Sequence, residues 1–133
     1  MKKTILLFLP LLLGAANAMG QNPELLSSIQ RGSAIYDDFC ITCHLPSGEG
    51  VPFAFPPLAK SDYLIKNRTA SIKGVKYGNE GEMIVNGITY SSAMAPMGLD
   101  DGEIADVMNY ILNSWGNSSN DPVTVEEVAA ISE

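Results

Sequence analysis

Both cysteines and the single histidine of this 133-residue chain fall within five consecutive residues, Cys40-Ile41-Thr42-Cys43-His44. Scattered at random, two cysteines and one histidine would take this arrangement in about one chain in nine thousand. The pentapeptide closes a stretch whose apolar residues recur at helical spacing, so we expect it to lie on a helical turn. Any fold of this chain must therefore keep two thiols and an imidazole side by side.

This spacing suits one cofactor in particular. Two thiols three residues apart on a helical turn reach the two vinyl groups on adjacent edges of a haem. The histidine that follows directs its imidazole over the porphyrin face towards the iron. Cys-x-x-Cys-His is the attachment signature of c-type haem. We therefore expect one covalent haem c on Cys40 and Cys43, with His44 as an axial ligand of the iron.

Three other uses of the same residues fit the pattern less well. A thioredoxin-like Cys-x-x-Cys lies at a helix N-terminus after a strand, where the dipole lowers the thiol pKa, whereas this motif ends a helix. A structural zinc site needs four ligands, and three ligands in so short a stretch are too close together to complete a tetrahedron. A disulfide across two intervening residues would restrain almost nothing.

The first eighteen residues differ in composition from the rest of the chain. A short basic start and an apolar run over residues 5–14 are followed by Ala16-Asn17-Ala18, which supplies small residues for cleavage. The run is too short to span a bilayer, and no later apolar segment is long enough either. We predict a signal peptide over 1–18 and a single domain over 19–133 that is periplasmic or otherwise exported, with an uncleaved anchor helix as the alternative.

The charge of the chain argues against one class of partner. Eight Lys and Arg stand against fifteen Asp and Glu, a formal charge of −7. Cleavage after Ala18 would remove Lys2 and Lys3 and leave a formal charge of −9. Because a domain that binds nucleic acid needs a basic face, we do not expect a nucleic-acid partner.

Hydrophobic periodicity predicts a mainly helical domain with one β-hairpin. A polar tail is expected over 19–24. The predicted elements, in chain order, are a helix over 26–40, a loop rich in Pro and Gly over 45–58, short helices over 61–66 and 69–77, a hairpin over 83–90 turning at Asn86-Gly87, and a loop over 91–98.

The clearest helix follows that loop. Asp100, with Glu103 three residues later, forms a capping-box start, and Gly116 is placed to end the helix. Thr124, with Glu127 three residues later, opens a short helix at the C-terminus.

With these features the chain resembles the class I c-type cytochromes, over nearly all of 31–131. It is similar in more detail to the small haem c domains found alone or fused to copper-containing nitrite reductases and to periplasmic dehydrogenases. The resemblance implies an all-α class I cytochrome c fold with a small β-hairpin before a methionine loop. It rests on Gly32 and Tyr36, the Cys40-x-x-Cys43-His44 motif, Phe55-Pro56-Pro57-Leu58, the methionine loop, and Ile104 with Asn109-Tyr110-Ile111.

The second axial ligand must come from elsewhere, because the chain has no other histidine. The candidates are Met83, Met94, Met97 and Met108, with Lys or Tyr as poorer ones. For Met83, before the hairpin, and Met108, on the apolar stripe of the last helix, core packing is the better interpretation. In the family the methionine precedes one or two prolines. Aligning Pro96 with the second proline implies Met94 as the ligand, with Met97 as the alternative.

The resemblance also implies a backbone carbonyl that accepts the Nδ1 proton of the axial histidine and fixes the ring tautomer. The family places it on a proline two residues before a leucine, which here is Pro56. Loop prolines that only stiffen the chain are equally compatible with this segment. Arg68, Tyr63 and Tyr90 are candidates for contacts with the haem propionates, and nothing local selects among them.

A thioether opposite a neutral imidazole favours Fe(II) and leaves no open coordination position. The resemblance therefore implies a monomeric one-electron carrier, not an enzyme, that exchanges electrons with a respiratory or dehydrogenase partner. The alternative is a haem enzyme or a gas or redox sensor whose distal ligand is labile. The acidic charge, including Asp100, Asp101, Glu103 and Asp106 after the methionine loop, predicts a redox partner with a basic docking surface.

Overall fold

Six helices and one antiparallel hairpin make up residues 22–133, the part of the chain that the computed structural model describes. The predicted signal peptide over 1–18 lies outside these residues. Within 22–133, no helix combines the length and the apolar character needed to cross a membrane. The elements are α1 (Pro23–Phe39), α2 (Ile41–His44), α3 (Asp62–Lys66), α4 (Arg68–Tyr77), β1 (Met83–Val85), β2 (Ile88–Tyr90), α5 (Asp101–Ile111) and α6 (Val125–Ala129).

The mainly helical fold with a small hairpin before the methionine loop confirms the predicted fold class. β1 and β2 pair antiparallel in the register Met83 to Tyr90, with Asn86-Gly87 at the turn, as predicted. Asn86 has φ 51° and Gly87 has φ 80°. Both angles are those that a tight hairpin turn of this type requires.

The first helix begins earlier than the apolar periodicity predicts. The side chain of Asn22 accepts a hydrogen bond of 3.0 Å from the N–H of Glu24, and Pro23 occupies the first turn, where its missing N–H is not needed. The prediction of a polar tail over 19–24 is therefore wrong for its last two residues. The apolar pattern misses this turn because the helix becomes buried only from Ser28 onwards.

Helices α1 and α5 cross at Gly32. A Cβ on Gly32 would overlap the backbone carbonyl of Asp106 and lie 2.9 Å from Cβ of Tyr110. Beside the crossing, the Asp106 carboxylate accepts hydrogen bonds of 2.7 Å from Ser28 Oγ and of 2.7 Å from Arg31. Because the glycine has no side chain, the two backbones touch, and the Asp106 contacts fix the helices at this point.

The start of α5 is as predicted, and its end is not. Asp100 and Glu103 form the full capping box. The helix ends at Ile111, five residues before the predicted stop at Gly116. The side chains of Asn113 and Ser114 bond back to carbonyls four residues earlier, at 2.9 and 2.7 Å. Such bonds compete with the backbone ladder and explain the early end of the helix.

The segment after α5 folds back onto it through one buried amide. The side chain of Asn109 donates to the carbonyl of Val123 and to Ser28 Oγ, both at 2.9 Å, and accepts from the N–H of Val123 at 2.7 Å. Thr124 then caps α6 by accepting from the N–H of Glu127, as predicted. The core between α1, α3, α4, α5 and α6 contains Tyr36, Leu64, Ile72, Ile104, Val107, Met108, Ile111 and Val128.

Gly32→Ala should destabilise the protein by about 3 kcal/mol, because the new methyl group must push apart two backbones that are already in contact. Guanidinium unfolding of the haem-loaded protein measures this change. Gly102→Ala is the matched control, since a Cβ there would meet only the end of the Asp100 side chain, at 3.2 Å. The control should change stability by less than about 1 kcal/mol. Equal effects of the two substitutions would contradict a close crossing at Gly32.

Candidate haem-binding site

A cavity of about 360 Å³ opens beside the cysteine-histidine motif. Its volume lies within the range of roughly 300–1,000 Å³ that is usual for ligand and cofactor pockets. Its lining is mainly apolar and includes core residues of α3, α4 and α5, together with Tyr63 and Tyr90. The residues predicted to attach the haem, to bind its iron or to orient His44 all line this one cavity, namely Cys40, Cys43, His44, Pro56, Met94 and Met97.

The motif occupies a helical turn of its own after α1. Cys40 ends α1 and precedes α2, and its carbonyl accepts a hydrogen bond of 2.9 Å from the N–H of His44. Leu45, with φ 64°, then turns the chain away. The hydroxyl of Tyr36 donates to the Leu45 carbonyl at 2.7 Å and ties this turn back to α1. Both thiols and the imidazole are thereby placed by a single short helix.

The His44 ring has a defined tautomer. Its Nδ1 lies 2.9 Å from the carbonyl oxygen of Pro56. Since a carbonyl can only accept, the proton sits on Nδ1 and the lone pair of Nε2 remains free. Burial lowers the pKa of His44 below its usual range, although the bond to Pro56 opposes this effect. The ring is therefore neutral and keeps a free nitrogen, which is the form that binds a metal.

The cysteines show no sign of redox activation. Both are free thiols, and burial, followed by the proximity of Cys43, raises the pKa of Cys40 to about 11. A thioredoxin-like thiol needs the opposite shift, towards a stable thiolate. The raised pKa keeps the Cys40 thiol protonated at neutral pH, which argues against the thioredoxin-like alternative.

Within the methionine loop, the backbone of Met94 is fixed to a neighbouring segment. Its N–H and its carbonyl form a reciprocal pair of 2.8 Å hydrogen bonds with Asn79, just after the end of α4. Gly78 lies against the same carbonyl, since a Cβ there would come within 2.7 Å of the Met94 oxygen. The N-terminal half of the methionine loop is thus attached to the end of α4.

Arg68, one of the candidates for a propionate contact, is engaged elsewhere. Its guanidinium donates to both carboxylate oxygens of Glu127, at 2.7 and 2.8 Å, and to the carbonyl of Asp121 at 3.0 Å. It does not line the main cavity, whereas Tyr63 and Tyr90 do. The charged side chain that looked suitable from the sequence therefore binds the C-terminal segment.

Sequence reasoning missed the glycines that shape the site. A Cβ on Gly50 would collide with the carbonyl of Phe55 and come within 2.7 Å of the Pro56 oxygen, and the Gly50 N–H donates to the His44 carbonyl at 3.0 Å. Gly78, at the end of α4, carries a helix-stop signal that was available in the sequence. The contacts of Gly50 lie within six residues along the chain and those of Gly78 are with Met94 and Pro96, and no periodic pattern shows either set.

Comparison with known proteins agrees with this geometry. Residues 29–115 match the sequence model described as cytochrome c, and the chain belongs to the cytochrome c family. It is 37% identical to a cytochrome c-552 of Thermus thermophilus, over 96% of this chain and 84% of that protein. It is also 32% identical to the cytochrome c subunit of the quinone-dependent alcohol dehydrogenase of Gluconobacter oxydans, over 82% of this chain and 24% of that subunit.

A further relative is the cytochrome c subunit of gluconate 2-dehydrogenase from Pantoea cypripedii, which is 31% identical over 77% of this chain and 24% of the subunit. These matches confirm the resemblance to class I c-type cytochromes. The chain is an electron carrier with a covalently bound haem c.

The lining of the cavity fits this group. It offers two thiols for thioether bonds and a neutral imidazole with a free Nε2. It also offers thioethers from several methionines within otherwise apolar surroundings. A soft sulfur donor and an imidazole are suitable axial ligands for haem iron, and apolar walls suit the porphyrin.

Gly50→Ala should weaken the hydrogen bond between His44 and Pro56, because the added methyl displaces the Pro56 carbonyl. We expect the Nδ1 proton of His44 to exchange with solvent about tenfold faster in the reduced holoprotein, as measured by NMR. Gly81→Ala is the control: it shares a positive φ, but no atom lies within 4 Å of its Cβ. Faster exchange in both variants would mean that general backbone strain, not the Pro56 carbonyl, is responsible.

Proposed function

We propose that this chain is an exported one-electron carrier whose haem c is attached through Cys40 and Cys43, with His44 and Met94 as axial ligands. The observation that carries the proposal is the convergence of all these residues on one apolar cavity. When bound, the haem supplies one-electron exchange between Fe(II) and Fe(III). A thioether opposite a neutral imidazole favours Fe(II) and raises the reduction potential relative to two imidazoles.

The protein's part in this function is to hold two ligands still. Pro56 holds the imidazole of His44 in one tautomer and orientation. Asn79 holds the backbone of Met94 through two hydrogen bonds, so that its side chain starts from a fixed point. A ligand loop attached in this way supports a carrier rather than a gas or redox sensor, which needs a distal ligand that leaves readily.

Residues 1–18 are proposed as a cleaved signal peptide, with 19–133 acting as a single monomeric domain in the periplasm. Two of the relatives are named as cytochrome c subunits of dehydrogenases, and this chain spans about a quarter of each. We therefore propose a dehydrogenase or another respiratory redox protein as the partner, with no enzymatic activity in this chain itself.

The partner is further proposed to carry a basic docking surface, because the mature chain would have a formal charge of −9. The acidic residues at the start of α5 are partly engaged within the protein. Asp101 pairs with Lys76 at 3.0 Å, and Asp106 binds Arg31 and Ser28. Steering by charge would therefore come from the acidic surface as a whole more than from this one cluster.

Met94→Ala should abolish the low-spin spectrum of His–Met ligation and lower the reduction potential, whereas Met97→Ala should largely preserve both. The absorption spectrum of the oxidised holoprotein and its redox titration measure these effects. Each variant serves as the control for the other, since both remove a thioether from the same cavity. If the outcomes are reversed, Met97 is the ligand. A wild-type protein that is high-spin and binds carbon monoxide rapidly would favour the sensor alternative.

Because the surface is acidic, the effect of salt on the electron-transfer rate should have opposite signs for a cationic and an anionic oxidant. Oxidation of the reduced holoprotein by cationic tris(phenanthroline)cobalt(III) should slow as ionic strength rises beyond about 0.1 M, where the Debye length is roughly 10 Å. Oxidation by anionic ferricyanide should accelerate over the same range. Stopped-flow absorbance measures both rates. A rate with the cation that is flat, or that rises with salt, would contradict steering by the acidic surface.

A further inference from the structure

An exposed aromatic residue lies at the tip of a tight turn beside the haem-binding site. Pro52 occupies the second position of the turn, and the N–H of Ala54 donates to the carbonyl of Val51 at 3.0 Å. Phe53, at the third position, has φ 65°. These features match a type II turn, whose third position ordinarily carries Gly or Asn because a side chain disfavours positive φ. Phe53 is nevertheless 75% exposed.

The contrast with Trp115 shows what is unusual about Phe53. Trp115 also has a positive φ, of 52°, but its ring packs against Tyr36 at 4.9 Å and Tyr110 at 5.3 Å between ring centroids. That packing compensates for the strained backbone of Trp115. Phe53 combines a strained backbone with a ring held in water, and both features are unfavourable for this chain on its own. Such outliers concentrate at functional sites.

Hydrogen bonds across the turn fix the backbone that carries this ring. Val51 and Phe55 face each other across the turn, and each N–H donates to the other's carbonyl at 2.8 Å. We call the segment Val51–Phe55 the aromatic turn. Because its backbone is already ordered, little conformational entropy is lost when a second surface covers the ring.

The aromatic turn adjoins the mouth of the cavity. Ala54 and Phe55 line the cavity, as does Phe39, which is 46% exposed. The N–H of Gly50, directly before the turn, donates to the carbonyl of His44. The residue that follows Phe53 therefore lines the cavity, and a protein that covers Phe53 would lie next to the haem site.

The charge of this region points to one kind of partner. The segment over 32–59 contains three carboxylates, Asp37, Asp38 and Glu49, and no Lys or Arg. All three residues are exposed. A complementary surface would have an apolar centre with a basic rim.

We propose that the aromatic turn is the docking element for the redox partner, and that the partner presents an apolar recess bordered by Lys or Arg side chains into which Phe53 inserts. This inference rests on the proposed function, since electron exchange is what requires a partner beside the haem. It adds a short-range apolar contact to the long-range steering by the acidic surface.

The test uses the holoprotein on gold electrodes coated with mixed monolayers of methyl-terminated and amine-terminated alkanethiols, which reproduce an apolar surface with basic groups. Phe53→Gly removes the ring and retains a residue suited to the turn. The control is Ile84→Thr, which alters another strongly exposed apolar side chain, 63% exposed, on β1. We expect Phe53→Gly to lower the interfacial electron-transfer rate about tenfold and Ile84→Thr to leave it unchanged.

Thermal unfolding and redox titration complete the test. Phe53→Gly should leave Tm and the reduction potential as in the wild type, because the ring contributes little to the fold. Equal electron-transfer rates for Phe53→Gly and wild type, or an equal loss in Ile84→Thr, would overturn the proposal. The proposal would also be overturned if Phe53→Gly lowered Tm and the slower electron transfer were due to that loss of stability.

Two further outcomes would overturn it in favour of other occupants. Sedimentation showing a wild-type dimer that becomes monomeric in Phe53→Gly would assign the turn to a second copy of this chain. Phe53-dependent binding to phosphatidylcholine vesicles would assign it to a lipid surface. An absence of any reversible one-electron wave, in wild type and variants alike, would instead refute the proposed function, and the docking role with it.

Discussion

The close contact of α1 and α5 at Gly32 determines where the rest of the site lies. From this crossing, α1 leads to the cysteine-histidine motif, and the turns that follow α5 lead to Trp115. The Trp115 ring lies so close to Gly48 that a Cβ there would be 2.5 Å from it. The carbonyl of Gly48 accepts from the N–H groups of Leu58 and Ala59, which closes the loop containing Pro56. One helix crossing thus positions both the imidazole and the carbonyl that orients it.

The haem site and the hydrophobic core share their walls. Leu64, Val107, Met108 and Ile111 belong to the core cluster and also line the cavity. Filling the cavity with a flat apolar group would extend the core, since burial of apolar surface contributes about 25 cal/mol per Å². Folding and haem attachment are therefore linked in this protein. The two free thiols are placed where the folding chain would hold the haem against the hydrophobic core.

The features of the fold and of the site that the sequence predicts correctly are those determined by interactions between residues close together in the chain. The cysteine-histidine motif, the capping box at Asp100 and the Asn86-Gly87 turn each lie within a few residues, and all three are found as predicted. The sequence also predicts Pro56 as the neighbour of His44, but only through resemblance to a family. The ligand roles of these residues stay predictions.

What the sequence could not show arises from contacts between distant segments. The early end of α5 follows from side chains that bond back to the helix, although their composition alone would also allow another turn. Arg68 is one of three candidates for a propionate contact among which the sequence does not select, and only the folded chain shows Glu127 beside it. The contact between Gly78 and Met94 joins residues sixteen positions apart, on either side of the β1–β2 hairpin.

The C-terminal segment packs against α4 and so supports the methionine loop. Three side chains of α4 bind this segment. Arg68 pairs with Glu127, Lys76 donates to the carbonyl of Val128 at 2.8 Å, and Tyr77 donates to that of Ile131 at 3.0 Å. This clasp on α4 is formed by residues that follow the part of the chain matching the cytochrome c model, which ends at residue 115. Because Met94 is bonded just past the end of α4, this clasp supports it indirectly.

The hydrogen bonds from Arg68 hold the pKa of Glu127 below its usual range. A carboxylate with a depressed pKa contributes stability at neutral pH and loses it only as the pH falls through that lowered value. The clasp therefore stays charged in mildly acidic surroundings, where an ordinary glutamate would begin to take up protons. The C-terminal tail therefore continues to hold α4, and with it the attachment of Met94 to Asn79, as the medium becomes mildly acidic.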